Sequence, residues 1–157
     1  MRAVIQRTRG ASVAVEGNTV AEFEGEGLVA LIGVTHEDTS ADAELIARKI
    51  SDLRILSHER SASDVDAPII VVSQFTLYAD VKKGRRPTWN QAARGDVAEP
   101  LVDEVVSALR QRGLTVETGV FGADMQVSLV NDGPVTLIVE SEGLVSYDSA
   151  GGEHRHM

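Results

Sequence analysis

The chain has 157 residues, 43% of them hydrophobic, with no cysteine and a formal net charge of −9. That size suits one domain whose core needs no staples, and the missing thiols exclude disulfides, a cysteine nucleophile and thiolate metal sites. The acidic balance argues against a general nucleic-acid-binding surface, and no apolar run resembles a signal peptide or a membrane span.

In chain order, period-two alternation predicts strands over about residues 2–8, 12–16, 19–24 and 28–34. Glu16-Gly17-Asn18 and Glu24-Gly25-Glu26-Gly27 read as turns between them. A helix is predicted over about 40–53, where Thr39 and Asp42 have capping-box spacing. Ala43, Ile46, Ala47, Ile50 and Leu53 form its apolar stripe. Residues 57–67 read as a loop, and a strand follows over 68–78. A second helix is predicted over about 98–112, with Leu101, Val105 and Leu109 as its stripe and Gly113 as its stop. Strands near 115–118, 125–130 and 135–141 close the chain. The expected fold is α+β: a mostly antiparallel or mixed, barrel-like sheet packed with two main helices. One domain is expected over residues 1–147, with a frayed tail over 148–157.

Two segments carry the chemistry. In Ser73-Gln74-Phe75-Thr76-Leu77-Tyr78, alternation puts Ser73 and Phe75 on the face of Ile69 and Val71. Gln74, Thr76 and Tyr78 then share the other face, a row of hydrogen-bonding groups on a rigid support. Ser73 is expected to point inward and Thr76 toward a pocket. Neither hydroxyl has an adjacent base, so hydrogen bonding suits them better than nucleophilic attack. The second segment is Asn131-Asp132-Gly133-Pro134, which interrupts a strand-like stretch. Its residues alone read as a hairpin turn, and Gly133-Pro134 is also a place where a cis bond costs little.

Histidines offer no general base near either segment: His36 ends a strand, His58 lies in the 57–67 loop, and His154 and His156 lie in the tail. No metal-binding spacing is present, so neither metal nor cofactor is expected. Lys82, Lys83, Arg85 and Arg86 form one basic cluster just past the Ser-Gln-Phe-Thr segment. That cluster reads as a solvated turn or as a grip for phosphates.

Together these segments resemble the D-aminoacyl-tRNA deacylase family. The match includes Met1–Arg7, Ser73-Gln74-Phe75-Thr76, Lys83–Pro87, Phe121-Gly122-Ala123-Asp124-Met125 and Gly133-Pro134, over roughly residues 1–142. One departure is visible: Ser57–Asp64 stands where family members carry a Lys-Met-Asn-x-Ser stretch. The resemblance implies hydrolysis of D-aminoacyl-tRNA, and of mischarged glycyl-tRNA, in the cytoplasm. It assigns the reaction to Ser73, Gln74, Phe75 and Thr76, with backbone N–H groups near Phe75 stabilising the oxyanion and the RNA hydroxyl taking part. It assigns selection against L-residues to a cis Gly133-Pro134 that enters the partner subunit's site, held by Arg7. Phe121 and Met125 would contact the terminal adenosine, and Lys82, Lys83, Arg85 and Arg86 the RNA end. The implied partners are the 3′ end of aminoacyl-tRNA and a second copy of the chain, with no membrane and no DNA. Phe121 and Met125 read equally as core residues, and Arg7 as a surface charge. The alternatives are a non-catalytic RNA-binding dimer of the same fold and an unrelated structural dimer.

Overall fold

In the computed structural model, which describes residues 1–142, β1 (Arg2–Val15) and β2 (Asn18–Gly33) form one long antiparallel hairpin. Its tip is the expected turn at Glu16-Gly17. The second expected turn, Glu24–Gly27, is instead part of β2. Between Arg9 and Ala11 the ladder shifts by one residue, from Glu26 to Phe23 on β2. Gly10 (φ +86°) and Gly25 (φ +79°) supply backbone angles that side chains disfavour at this bulge. A glycine that breaks period-two alternation reads as a turn locally; pairing across the hairpin keeps the strand going.

Helix α1 (Ser40–Asp52) starts on the predicted box: Thr39 and Asp42 cap each other's backbone. The 53–67 connection then holds a short 3₁₀ turn at Ser57–Glu59 and one helical turn, α2 (Ala62–Val65). The latter was read as loop, although Ser61 and Asp64 repeat the capping-box spacing. Strand β3 (Ile69–Ser73) lies parallel to β2. Helix α3 (Gly95–Gln111) begins three residues before the predicted start. Pro100 falls within its second turn, and Asp96 faces the positive end of the helix dipole. Two more strands follow, β4 (Val116–Thr118) and β5 (Gln126–Glu140). The sheet order is β4-β3-β2-β1-β5, with β2, β3 and β4 parallel and β1 antiparallel to both neighbours. The mixed sheet with two longer helices agrees with the expected fold class.

Each face of the sheet buries a core. Ala3, Ile5, Leu28, Ala30, Ile32, Ile69 and Val71 pack under α1 and α3 against Ile46, Ile50, Val105 and Leu109. Ala11, Val13, Ala21, Val29, Ile70 and Val72 form a second cluster on the opposite face. Strand β3 is therefore apolar on both faces, as a central parallel strand must be. No helix among the described residues is long and apolar enough to cross a membrane. The predicted tail, 148–157, and its two histidines lie outside the described residues.

The 53–61 segment is tied to β2 through Glu26, whose Oε2 accepts from the Ser57 N–H (2.8 Å) and hydroxyl (2.6 Å). Partial burial raises the Glu26 pKa. The two Ser57 bonds and the charges of Arg7 and Arg60 outweigh it and hold the carboxyl below the ordinary glutamate range. A depressed folded-state pKa means the clamp stabilises above the unfolded value and is lost as pH falls through the folded one. Glu26→Gln is therefore expected to cost about 1 kcal/mol at neutral pH, a charged hydrogen bond discounted for partial exposure. Urea melts at pH 7 and pH 3 check this: the gap to the parent protein should close at the lower pH.

Candidate active site

Strand β3 ends at Ser73, where Gln74 N–H makes a last bond to the Ile32 carbonyl at 2.8 Å. The strand expected to reach residue 78 instead turns into a 3₁₀ helix over Phe75–Tyr78. Gly33 permits this turn. A Cβ there would stand 2.9 Å from the Leu77 Cβ and 3.1 Å from the Gln74 carbonyl, so only glycine lets the helix pack so closely on β2. Alternation then fails beyond Ser73. Tyr78, expected on the polar face with Gln74 and Thr76, is buried, and the Arg2 guanidinium stacks 4.4 Å over its ring. Burial pushes its phenol pKa well up, and its hydroxyl has no partner among the described residues, so Tyr78 is a packing residue.

The turn exposes backbone donors. Among the described residues, neither the Phe75 nor the Thr76 N–H meets an acceptor. Phe75, expected on the inward face, is 54% exposed instead. Thr76 Oγ1 accepts from Gln74 Nε2 and takes no part in the adjoining cleft, whereas Ser73 lines it. Ser73 thus keeps the Val71 face that alternation gives it and lines the cleft from there, while Thr76, expected toward a pocket, is turned aside by the 3₁₀ helix and half-buried.

A cleft of about 520 Å³ opens at this point. Ile32, Val72, Ser73, Gln74 and Phe75 form one wall, and Trp89, Ala93, Phe121, Asp124 and Met125 the other. Phe121 and Met125 are thus cleft residues and also pack on the two cores. Gly119 makes room for the second of them: a Cβ there would sit 2.5 Å from the Met125 Sδ. Trp89 escaped the sequence reading. Its ring meets Phe75 edge-to-face at 5.2 Å, forming an aromatic lip. The signal available was the chain's single Trp, three residues past the basic cluster. The Trp89 segment is braced by Ala93 N–H to the Val34 carbonyl (2.9 Å) and by the His36 ring at the Asn90 carbonyl (2.6 Å). Neither His36 nor His58 lines the cleft.

Lys82, Lys83, Arg85 and Arg86 are all exposed, and none forms an ion pair among the described residues. Paired backbone bonds between Asp80 and Thr88 close their loop, which leads directly into Trp89.

Gly133 and Pro134 do not form the hairpin turn that their residues suggest. The same antiparallel ladder with β1 continues on both sides of them. Between Thr8↔Asn131 and Gln6↔Thr136, β1 advances two residues while β5 advances five, so Asp132–Val135 bulge out. The Asn131 amide holds the neck of the bulge, donating to the Arg7 carbonyl (3.1 Å) and the Val135 carbonyl (3.0 Å). Arg7 is not a free surface charge: its Nε donates to the Asp132 carbonyl at 3.2 Å. The Gly133–Pro134 bond is cis, and both residues are exposed. The bulge takes no part in lining the cleft of its own chain.

Comparison with known proteins agrees with this fold. The family described as D-Tyr-tRNA(Tyr) deacylase matches residues 4–140. A D-aminoacyl-tRNA deacylase of Streptomyces coelicolor is 64% identical over 140 residues, covering 89% of this chain and 99% of that protein. A solved structure described as c-Myc DNA Unwinding Element Binding Protein superposes with a TM-score of 0.82 at 39% identity, covering 90% of this chain and 99% of its own. Another, of a probable eukaryotic D-amino acid tRNA deacylase, shares the fold with a TM-score of 0.78 at 18% identity, over 88% of this chain and 97% of its own. With the family match spanning nearly all the described residues and close relatives matched end to end, this chain belongs to the D-Tyr-tRNA(Tyr) deacylase family.

Proposed function

We propose that this protein hydrolyses the ester bond of D-aminoacyl-tRNA, releasing tRNA and the D-amino acid, and acts in the same way on glycyl-tRNA. The observation that carries this reading is the cleft where Ser73, Gln74 and Phe75 face Trp89, Phe121 and Met125. An apolar, aromatic wall suits the terminal adenine of the RNA, which stacks on such surfaces. The unpaired N–H of Phe75, which lines the cleft, suits the oxyanion of the tetrahedral intermediate. No side-chain base is required. The ribose 2′-hydroxyl stands beside the ester carbonyl, and holding it and a water in place supplies the rate. The basic Lys82–Arg86 loop suits the phosphates that lead to the RNA's 3′ end.

Selection follows from exclusion. The carbonyl groups of the Gly133–Pro134 bulge hold the substrate's α-amino group and leave no space on the side where an L side chain would lie. Nothing reads the D side chain, so many D-residues fit. Because the bulge takes no part in lining its own chain's cleft, it serves a second copy. Strand β5 is a sheet edge and carries exposed Val130 and Ile138, 61% and 71% accessible, which suit burial in a dimer. Sedimentation at micromolar concentration is expected to give about twice 16.8 kDa. A monomer with full activity would contradict the shared site.

Such work places the protein in the cytoplasm, where aminoacyl-tRNA is used, and needs neither cofactor nor membrane. A DNA duplex is a poor partner, since the net charge is −9 and only four of the fifteen Lys and Arg residues form a cluster. The test is direct: incubate the pure protein with D-tyrosyl-tRNA and L-tyrosyl-tRNA and follow the free amino acid. Release from the D-substrate alone supports the reading. Binding of the RNA without release would mark the non-catalytic alternative.

A further inference from the structure

Arg7 has a second anchor. While its Nε meets the Asp132 carbonyl, its Nη1 donates to the carbonyl of Ile55 at 3.3 Å. The guanidinium is planar and its donors are fixed relative to one another, so one side chain joins the 53–61 segment to the bulge. That segment has its own tether, the Ser57–Glu26 clamp. Glu26 sits opposite Arg9 in the β1–β2 ladder, and the Arg7 charge acts on its carboxylate. Beyond the clamp the chain turns sharply. Leu56 N–H donates to the Arg60 carbonyl at 2.9 Å, and His58 (φ +64°) and Glu59 (φ +53°) are both left-handed. Two successive side-chain-bearing residues in that region persist only where the surroundings hold them.

We propose that Ser57 and Glu26 are positioning residues for substrate selection, acting on the Asp132–Val135 bulge through Ile55 and Arg7. The inference rests on the reading above, in which the bulge rejects L-residues. The relay is continuous. Glu26 fixes Ser57, Ser57 places the Ile55 carbonyl two residues earlier, and that carbonyl orients the guanidinium that grips Asp132. Released from Ile55, Arg7 can rotate toward the Asp132 carboxylate, 3.4 Å from its Nε. The Asp132 carbonyl then loses its fixed donor. Exclusion by backbone atoms tolerates little displacement, so a looser bulge admits the L side chain while the cleft keeps its own geometry.

The test uses the full-length protein with Ser57→Ala, Ser57→Thr and Glu26→Gln. Amide hydrogen exchange over residues 130–137 is measured beside deacylation of D- and L-tyrosyl-tRNA. Ser57→Ala and Glu26→Gln are expected to speed exchange in that segment at least about threefold and to lower the D-over-L rate ratio about tenfold. The D-substrate is expected to lose through KM, by its α-amino contact with the bulge, more than through kcat, which should stay within about threefold because the cleft is untouched. Ser57→Thr keeps the hydroxyl and should restore both readouts. Faster exchange at 55–60 with none at 130–137 would overturn the relay. Faster exchange at 130–137 with an unchanged D-over-L ratio would overturn its role in selection. A parent protein that releases neither amino acid would refute the proposed function instead, and the exchange data would still decide the relay.

Discussion

Gly133→Ala is expected to lose most of the preference for D- over L-tyrosyl-tRNA, by about tenfold or more, in a protein that still folds. The reason is local. Gly133 has φ +120°, a region that L side chains rarely adopt. A Cβ there would meet the Val135 Cγ2 at 2.9 Å, the Arg7 Nη2 at 3.0 Å and the Val135 N at 3.1 Å. The Arg7 end is flexible and can retreat, but doing so releases the Asp132 carbonyl that it holds. The Val135 backbone cannot retreat without moving the bulge. The strain of about 1–3 kcal/mol is small beside the stability of a domain this size, so the sheet survives while the bulge shifts. Paired assays on the two tRNAs measure the loss, and thermal melts followed by circular dichroism check that the fold persists. Unchanged discrimination would remove the bulge from substrate selection.

Removing the ribose 2′-hydroxyl from the terminal adenosine is expected to slow release by about a hundredfold or more, whereas Thr76→Ala should stay within about tenfold of the parent. Thr76 Oγ1 is occupied by the Gln74 amide and takes no part in the cleft, so it has neither a base to activate it nor a line to the ester. The backbone donor of Phe75 is unchanged by the substitution. Single-turnover rates with ribo and 2′-deoxy substrates distinguish the two contributions. If Thr76→Ala abolishes release while the 2′-deoxy substrate reacts normally, a side-chain nucleophile replaces the RNA hydroxyl in the mechanism.

Features set by neighbours in the chain could be read from the residues. The capping box of Thr39 and Asp42 announces α1, because its bonds span three residues and need no partner elsewhere. The stripes of both long helices, and the Ile69–Val72 run, name their buried faces correctly because periodicity follows from backbone geometry. The residues that line the cleft from the Ser73 segment and from Phe121 and Met125 were legible through a motif.

Features set by contacts across the chain were not. The 3₁₀ turn at Phe75–Tyr78 depends on the open space above Gly33, forty residues away, and it is this turn that exposes Phe75 and buries Tyr78. Trp89 enters the cleft because Val34 and His36, just past β2, hold residues 90–93 in place. Glu24–Gly27 and Asn131–Val135 both have turn composition, yet both remain within strands. Turn residues state which backbone angles are affordable; whether the chain reverses or bulges depends on the strand alongside, and only β1, paired with both, makes each a bulge.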